Sequence, residues 1–139
     1  MSTARSATGE HAVVSGQAGD ARRAMTRVLI VEDEMLVAML LEDMLGELGY
    51  RVAGCKHSLD SALAFSKEGT FDCAVLDVNL NGRLSFPIAR VLRQRNIPFI
   101  FASGYGAAGV DEQFENVQVL SKPFTIEEIG RSLSTALHH

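Results

Sequence analysis

The sequence predicts an α/β protein built on a doubly wound parallel sheet. Three observations carry that reading. Short apolar, β-branched runs alternate with longer helix-forming stretches; the runs show little polar alternation; and Gly, Pro or a capping residue punctuates the junctions. Strands buried on both faces lose the alternation of a half-exposed sheet. Strand–helix alternation implies right-handed crossovers with helices covering both faces.

Residues 1–25 are rich in Ala, Ser, Gly and Thr, without hydrophobic period, and carry Arg5, Arg22 and Arg23 against Glu10 and Asp20. They read as a flexible tail ahead of one domain, residues 26–139, with Met25 as an alternative start of translation. Arg27 to Val31 is the first expected strand. Glu34 to Leu48 is rich in Leu, Met, Ala and Glu and ends at Gly49, as a helix does; its few polar residues (Glu42, Asp43, Glu47) imply cover around much of its circumference. Arg51 to Cys55 reads as the second strand. Ser58 caps a helix that runs to about Glu68 and stops at Gly69.

Phe71 to Leu76 is the third strand, ending at Asp77. Pro87 suits the first turn of a helix reaching Arg95. Ile97 to Ala102 is the fourth strand, with Pro98 at its entrance, and Val117 to Leu120 the fifth. Thr125 and Glu128 form a capping box for a last helix with Ile126, Ile129, Leu133, Ala136 and Leu137 on one face. Five such units indicate a flavodoxin-like sheet of order 2-1-3-4-5, in which ligands bind beyond the carboxyl ends of the strands.

Composition narrows the function. The 139 residues are 47% hydrophobic and 22% charged, an ordinary globular balance. A formal charge of −4, from 13 Lys and Arg against 17 Asp and Glu, argues against nucleic-acid binding. No apolar run nears the roughly 20 residues of a membrane span, and the N-terminus has no apolar core of a secretory signal. Cys55 and Cys73 lack metal-ligand spacing and lie in apolar runs, so buried free thiols and a cytoplasmic setting are expected.

The chemistry gathers at the strand ends. The first strand runs into Glu32-Asp33-Glu34, the third ends at Asp77, the fourth at Ser103 and the fifth at Lys122. With the first and third strands adjacent, Glu32, Asp33 and Asp77 meet in one crevice, where mutual repulsion favours a bound hard dication. Mg²⁺ suits an all-oxygen set, and Zn²⁺ does not. Ser103 and Lys122 add a hydroxyl and an ammonium, the donors a transferring phosphoryl group requires. A carboxylate can itself be the phosphoryl acceptor, and Asp77, alone at its strand end, is the candidate. Singly, each feature has an ordinary reading: helix-dipole acids, an Asx turn, a Ser-Gly turn, a surface lysine. Four strand ends serving one chemistry are not explained that way.

The segments Val28 to Glu34, Ala74 to Leu80, Phe101 to Gly104 and Ser121 to Phe124 resemble the receiver domain of bacterial two-component response regulators over about residues 26–138. The resemblance implies that Glu32 and Asp33 hold Mg²⁺, that Asp77 ligates it and accepts the phosphoryl group, and that Asn79 offers its backbone carbonyl. It also implies that Ser103 and Lys122 bind phosphoryl oxygens and that the Lys122–Pro123 bond is cis. The donor would be a phosphohistidine on a sensor histidine kinase or histidine phosphotransfer protein. The domain would catalyse only its own phosphorylation and slow dephosphorylation, acting otherwise as a signalling phosphoacceptor rather than an enzyme.

Phe99 to Tyr105 resembles the Phe-Ala-Thr-Gly-x-Tyr signature of an alphaproteobacterial subgroup of stand-alone receivers, with Ser103 for Thr and Tyr105 one position early. Val119 stands where many receivers carry a switch aromatic, and Asn81 where a proline is common. The stretch from Ser103 to Lys122 is short and holds Gly104, Gly106 and Gly109, so the fourth helix is expected to be short or mobile and the Gly104 to Gly109 segment to order on phosphorylation. With no DNA-binding output domain in view, output is expected through contact with a downstream protein; homodimer formation is compatible with this. Two rivals stand beside the reading: a receiver that binds partners without phosphorylation, and a haloacid-dehalogenase-type phosphatase, which would want an Asp at Asn79.

Overall fold

The computed structural model describes residues 23–138. In chain order it contains β1 (Arg27–Val31), α1 (Met35–Glu47), β2 (Arg51–Lys56), α2 (Leu59–Glu68), β3 (Cys73–Asp77), two short strands β4 (Asn79–Leu80) and β5 (Arg83–Leu84), α3 (Phe86–Gln94), β6 (Phe99–Ser103), β7 (Val119–Ser121) and α4 (Ile126–Leu137). One five-stranded sheet has the order β2-β1-β3-β6-β7, and all its pairs are parallel. This is the expected 2-1-3-4-5 order, with an antiparallel ribbon, β4–β5, inserted after β3. The ribbon turns at Asn81 and Gly82, both at positive φ (54° and 88°), the Asn-Gly pair such a tight turn favours.

Side-chain alternation divides the core in two. Leu29, Val31, Ala74, Leu76, Phe99 and Phe101 pack with Leu59 and Ala62 of α2, and with Ile88, Ala89 and Leu92 of α3. The alternate residues Val28, Ile30, Cys73, Val75 and Ile100 pack on the other face with Leu41 and Leu45 of α1, and with Ile129 and Leu133 of α4. Period-two strands thus feed two helical layers, the reason their sequences show no polar face.

The caps follow local chemistry. The Ser58 side chain accepts from Ser61 N–H, and the Thr125–Glu128 capping box is complete. Gly69 ends α2 for want of space: its φ is −71°, and a Cβ there would stand 2.7 Å from the Phe65 carbonyl oxygen.

Two expectations are corrected. Helix α1 is covered on one side only, through Ala38, Leu41 and Leu45, while Met35, Leu36, Met39 and Leu40 are exposed; a helix lying on one layer of sheet buries one stripe. Cys55 is half-buried, because β2 is an edge strand; Cys73 is buried, and burial pushes its thiol up to about 12. The fourth helix, expected to be short or mobile, is two short 3₁₀ turns, Gly106–Gly109 and Glu112–Phe114.

Of the expected tail, residues 1–22 lie outside the described residues. Residues 23–25 are helical, and Arg23 Nη1 donates to the Leu48 carbonyl at 3.3 Å. No helix among the described residues is long and apolar enough to cross a membrane.

Candidate functional site

The sheet register brings the strand ends together. Val31 pairs with Leu76, so the residues that follow, Glu32 and Asp77, leave adjacent strands side by side. Asp77 pairs with Ala102 and Ser103 with Ser121, which sets Ser103 and Lys122 along the same edge. The Lys122–Pro123 peptide bond is cis.

Carboxylate oxygens of Glu32, Asp33 and Asp77 lie within 4.8 Å of one another. Glu32 and Asp77 are buried. Lys122 Nζ bridges them, donating to Glu32 Oε1 at 2.9 Å and to Asp77 Oδ2 at 3.0 Å. Three further oxygens take backbone donors. Glu32 Oε2 accepts from Glu34 N–H at 3.1 Å, Asp77 Oδ1 from Asn79 N–H at 3.2 Å, and Asp33 Oδ2 from Asn81 N–H at 3.1 Å. The Glu34 side chain does not cap α1, so these acids are not simply the charged first turn of a helix.

One ammonium does not balance three carboxylates, and the imbalance shows at Glu32. Burial pushes its pKa up to about 7, with the hydrogen bond and charge of Asp77 adding to the rise and Lys122 and Glu34 opposing it. For Lys122, burial lowers the pKa, but its hydrogen bonds to Glu32 and Asp77 and their charges outweigh that effect, and the net direction is up. Excess buried negative charge on an all-oxygen donor set fits a hard dication.

Ser103 is buried at the end of β6, and its Oγ accepts from Tyr105 N–H at 3.0 Å. A cleft of about 240 Å³ is lined by Asp77, Leu84, Ser103, Tyr105 and Gly109 among others. Asn79 opens β4, and its side-chain oxygen accepts from Gly82 N–H at 2.6 Å, holding the ribbon turn.

Two neighbours of the site escape a reading of the sequence. The Nδ1 of His57 lies 2.9 Å from the Glu32 carbonyl oxygen, a contact across the β1–β2 register with no local signal. The Asn81 N–H on Asp33 is a contact between residues 48 apart in the chain.

Comparison with known proteins identifies the family. Residues 28–134 match the family described as the response regulator receiver domain. Among solved structures, the solution structure of SdrG from Sphingomonas melonis Fr1 is 44% identical with a TM-score of 0.74, over 82% of this chain and 98% of that one. SdrG from Pseudomonas melonis Fr1 in a BeF3-activated conformation is 43% identical (TM-score 0.69; 80% and 95% covered). The response regulator PhyR from Brucella abortus is 28% identical (TM-score 0.72; 90% and 53% covered). Among curated proteins, the sensory transduction protein LytT of Bacillus subtilis (strain 168) is 33% identical over 116 residues, which are 78% of this chain and 47% of LytT. The chain thus spans about half the length of the curated relatives it first matches. The SdrG and PhyR likenesses are consistent with the subgroup signature read in Phe99 to Tyr105.

Proposed function

The chain belongs to the response regulator receiver family, and from that premise we propose that Asp77 accepts a phosphoryl group from a partner's phosphohistidine and signals by protein contact. The observation that carries the reading is the bridge: Lys122 joins Asp77 to Glu32 at 3.0 and 2.9 Å inside a three-carboxylate cluster. A surface lysine has no reason to sit there.

In the transfer, an Asp77 oxygen attacks phosphorus. The new O–P bond forms as the P–N bond breaks, and the bonding pair leaves with the imidazole nitrogen. Lys122, whose pKa is raised, stays cationic and moves from Asp77 Oδ2 onto a phosphoryl oxygen. The Ser103 hydroxyl rotates from Tyr105 N–H to donate to another. Burial of Asp77 keeps bulk water from the acyl phosphate. The Glu32, Asp33 and Asp77 carboxylates, with the Asn79 carbonyl beside them, would hold Mg²⁺, which supplies charge neutralisation for the phosphoryl oxygens when bound.

The partners on this reading are a sensor histidine kinase or histidine phosphotransfer protein upstream and a protein target downstream, in the cytoplasm. Incubation with Mg²⁺ and acetyl phosphate is expected to add one phosphoryl mass to the wild-type chain and none to Asp77→Asn. A wild-type chain that gains no mass, beside a competent receiver that does, would overturn the proposal.

A further inference from the structure

Gly109 and Asp77 line the same cleft, and the Gly109 backbone is not in the left-handed region. The reason for a glycine there is therefore spatial. A Cβ at position 109 would stand 2.8 Å from Ser103 Oγ, but 4.0 Å from Ser103 Cβ and 3.5 Å from Tyr105 Cβ. Only the hydroxyl is in the way. Rotation of Ser103 about χ1 relieves that contact without moving backbone, and it breaks the 3.0 Å bond from Tyr105 N–H. Gly104 has nothing within 4 Å of a Cβ, so the glycines of this segment are not equivalent.

We infer that Gly109 is a positioning residue for Ser103: its missing side chain leaves the space in which the hydroxyl rests on Tyr105 N–H. Filling that space turns the hydroxyl out of its resting position and biases the site toward its phosphoryl-bound arrangement. The inference deepens the phosphoacceptor reading and rests on it for its consequence, but its geometry is testable without any phosphoryl group.

The experiment compares wild type, Gly109→Ala, Gly104→Ala, Ser103→Ala and the Ser103→Ala/Gly109→Ala double variant. In the free proteins, the NMR shift and water-exchange rate of the Tyr105 amide report its bond to Ser103. Gly109→Ala should shift the resonance and speed exchange on the order of fivefold, as expected for one ordinary hydrogen bond lost; Gly104→Ala should not. In the Ser103→Ala background, adding Gly109→Ala should change nothing further. With Mg²⁺ and beryllofluoride as the probe, Gly109→Ala should bind on the order of fivefold more tightly than wild type, since it no longer gives up the resting contact.

An unchanged Tyr105 amide in Gly109→Ala, or an equal effect of Gly109→Ala with and without Ser103, overturns the inference. If Gly109→Ala does not fold, folding of the double variant supports the coupling and its failure to fold overturns it. Wild type that keeps the Tyr105 signature yet binds no beryllofluoride counts against the phosphoacceptor reading, while the amide comparison still decides the role of Gly109.

Discussion

Residues 104–109 and residues 110–117 join the same two strands, yet different forces hold them. Tyr105 is 82% exposed, Gly104, Ala107 and Ala108 are exposed, and this half is tied by the Tyr105 N–H on the Ser103 hydroxyl and the Val110 N–H on the Ala107 carbonyl. The second half carries Phe114, which is fully buried against Phe86, Phe99 and Phe101, with ring centroids 5.6 to 6.1 Å away. Arg93 covers the Phe114 ring at 4.7 Å and donates to the Gln113 carbonyl at 2.8 Å. Val110 and Val117 pack on the same core.

Val119 belongs to this comparison. It pairs with Phe101 and packs beside the same aromatic group, so the ring on this face comes from the connection rather than from β7. A response to Asp77 therefore has room in the first half, next to Ser103. Moving the second would draw Phe114 out of the core. The segment expected to order on phosphorylation, Gly104 to Gly109, is this first half.

That contrast can be broken by mutation. Phe114→Ala should cost about 3–5 kcal/mol of unfolding free energy, the usual loss for a buried ring, read by urea denaturation. Arg93→Ala removes one hydrogen bond and one cation–π contact and should cost about 1–2 kcal/mol, read the same way. Tyr105→Ala should stay within about 0.5 kcal/mol of wild type, as exposed positions do. If Tyr105→Ala costs as much as Arg93→Ala, the first half is anchored too and the comparison fails. If Phe114→Ala costs under about 1 kcal/mol, the second half is as free as the first.

Much of the fold was legible because strand burial and helix caps are local. Five unalternated apolar runs, Ser58, Gly69 and the Thr125–Glu128 box were each read without knowledge of their neighbours. The ribbon after Asp77 escapes the sequence, though Asn81-Gly82 is a turn signal; two-residue strands carry too little period to register. The exposed stripe of α1 was missed because composition does not say how many layers will cover a helix.

The candidate site divides in the same way. Sequence alone determined which groups stand at the ends of the strands, since strand length and residue order settle that, and Glu32, Asp33, Asp77, Ser103 and Lys122 were named on that basis. Tertiary structure decided how they meet: that Lys122 bridges Glu32 and Asp77, that Asn81 N–H reaches Asp33, and that the Ser103 hydroxyl is turned to Tyr105 under Gly109. Those facts depend on sheet register and side-chain rotation across residues up to 90 apart in the chain, and no local preference encodes them.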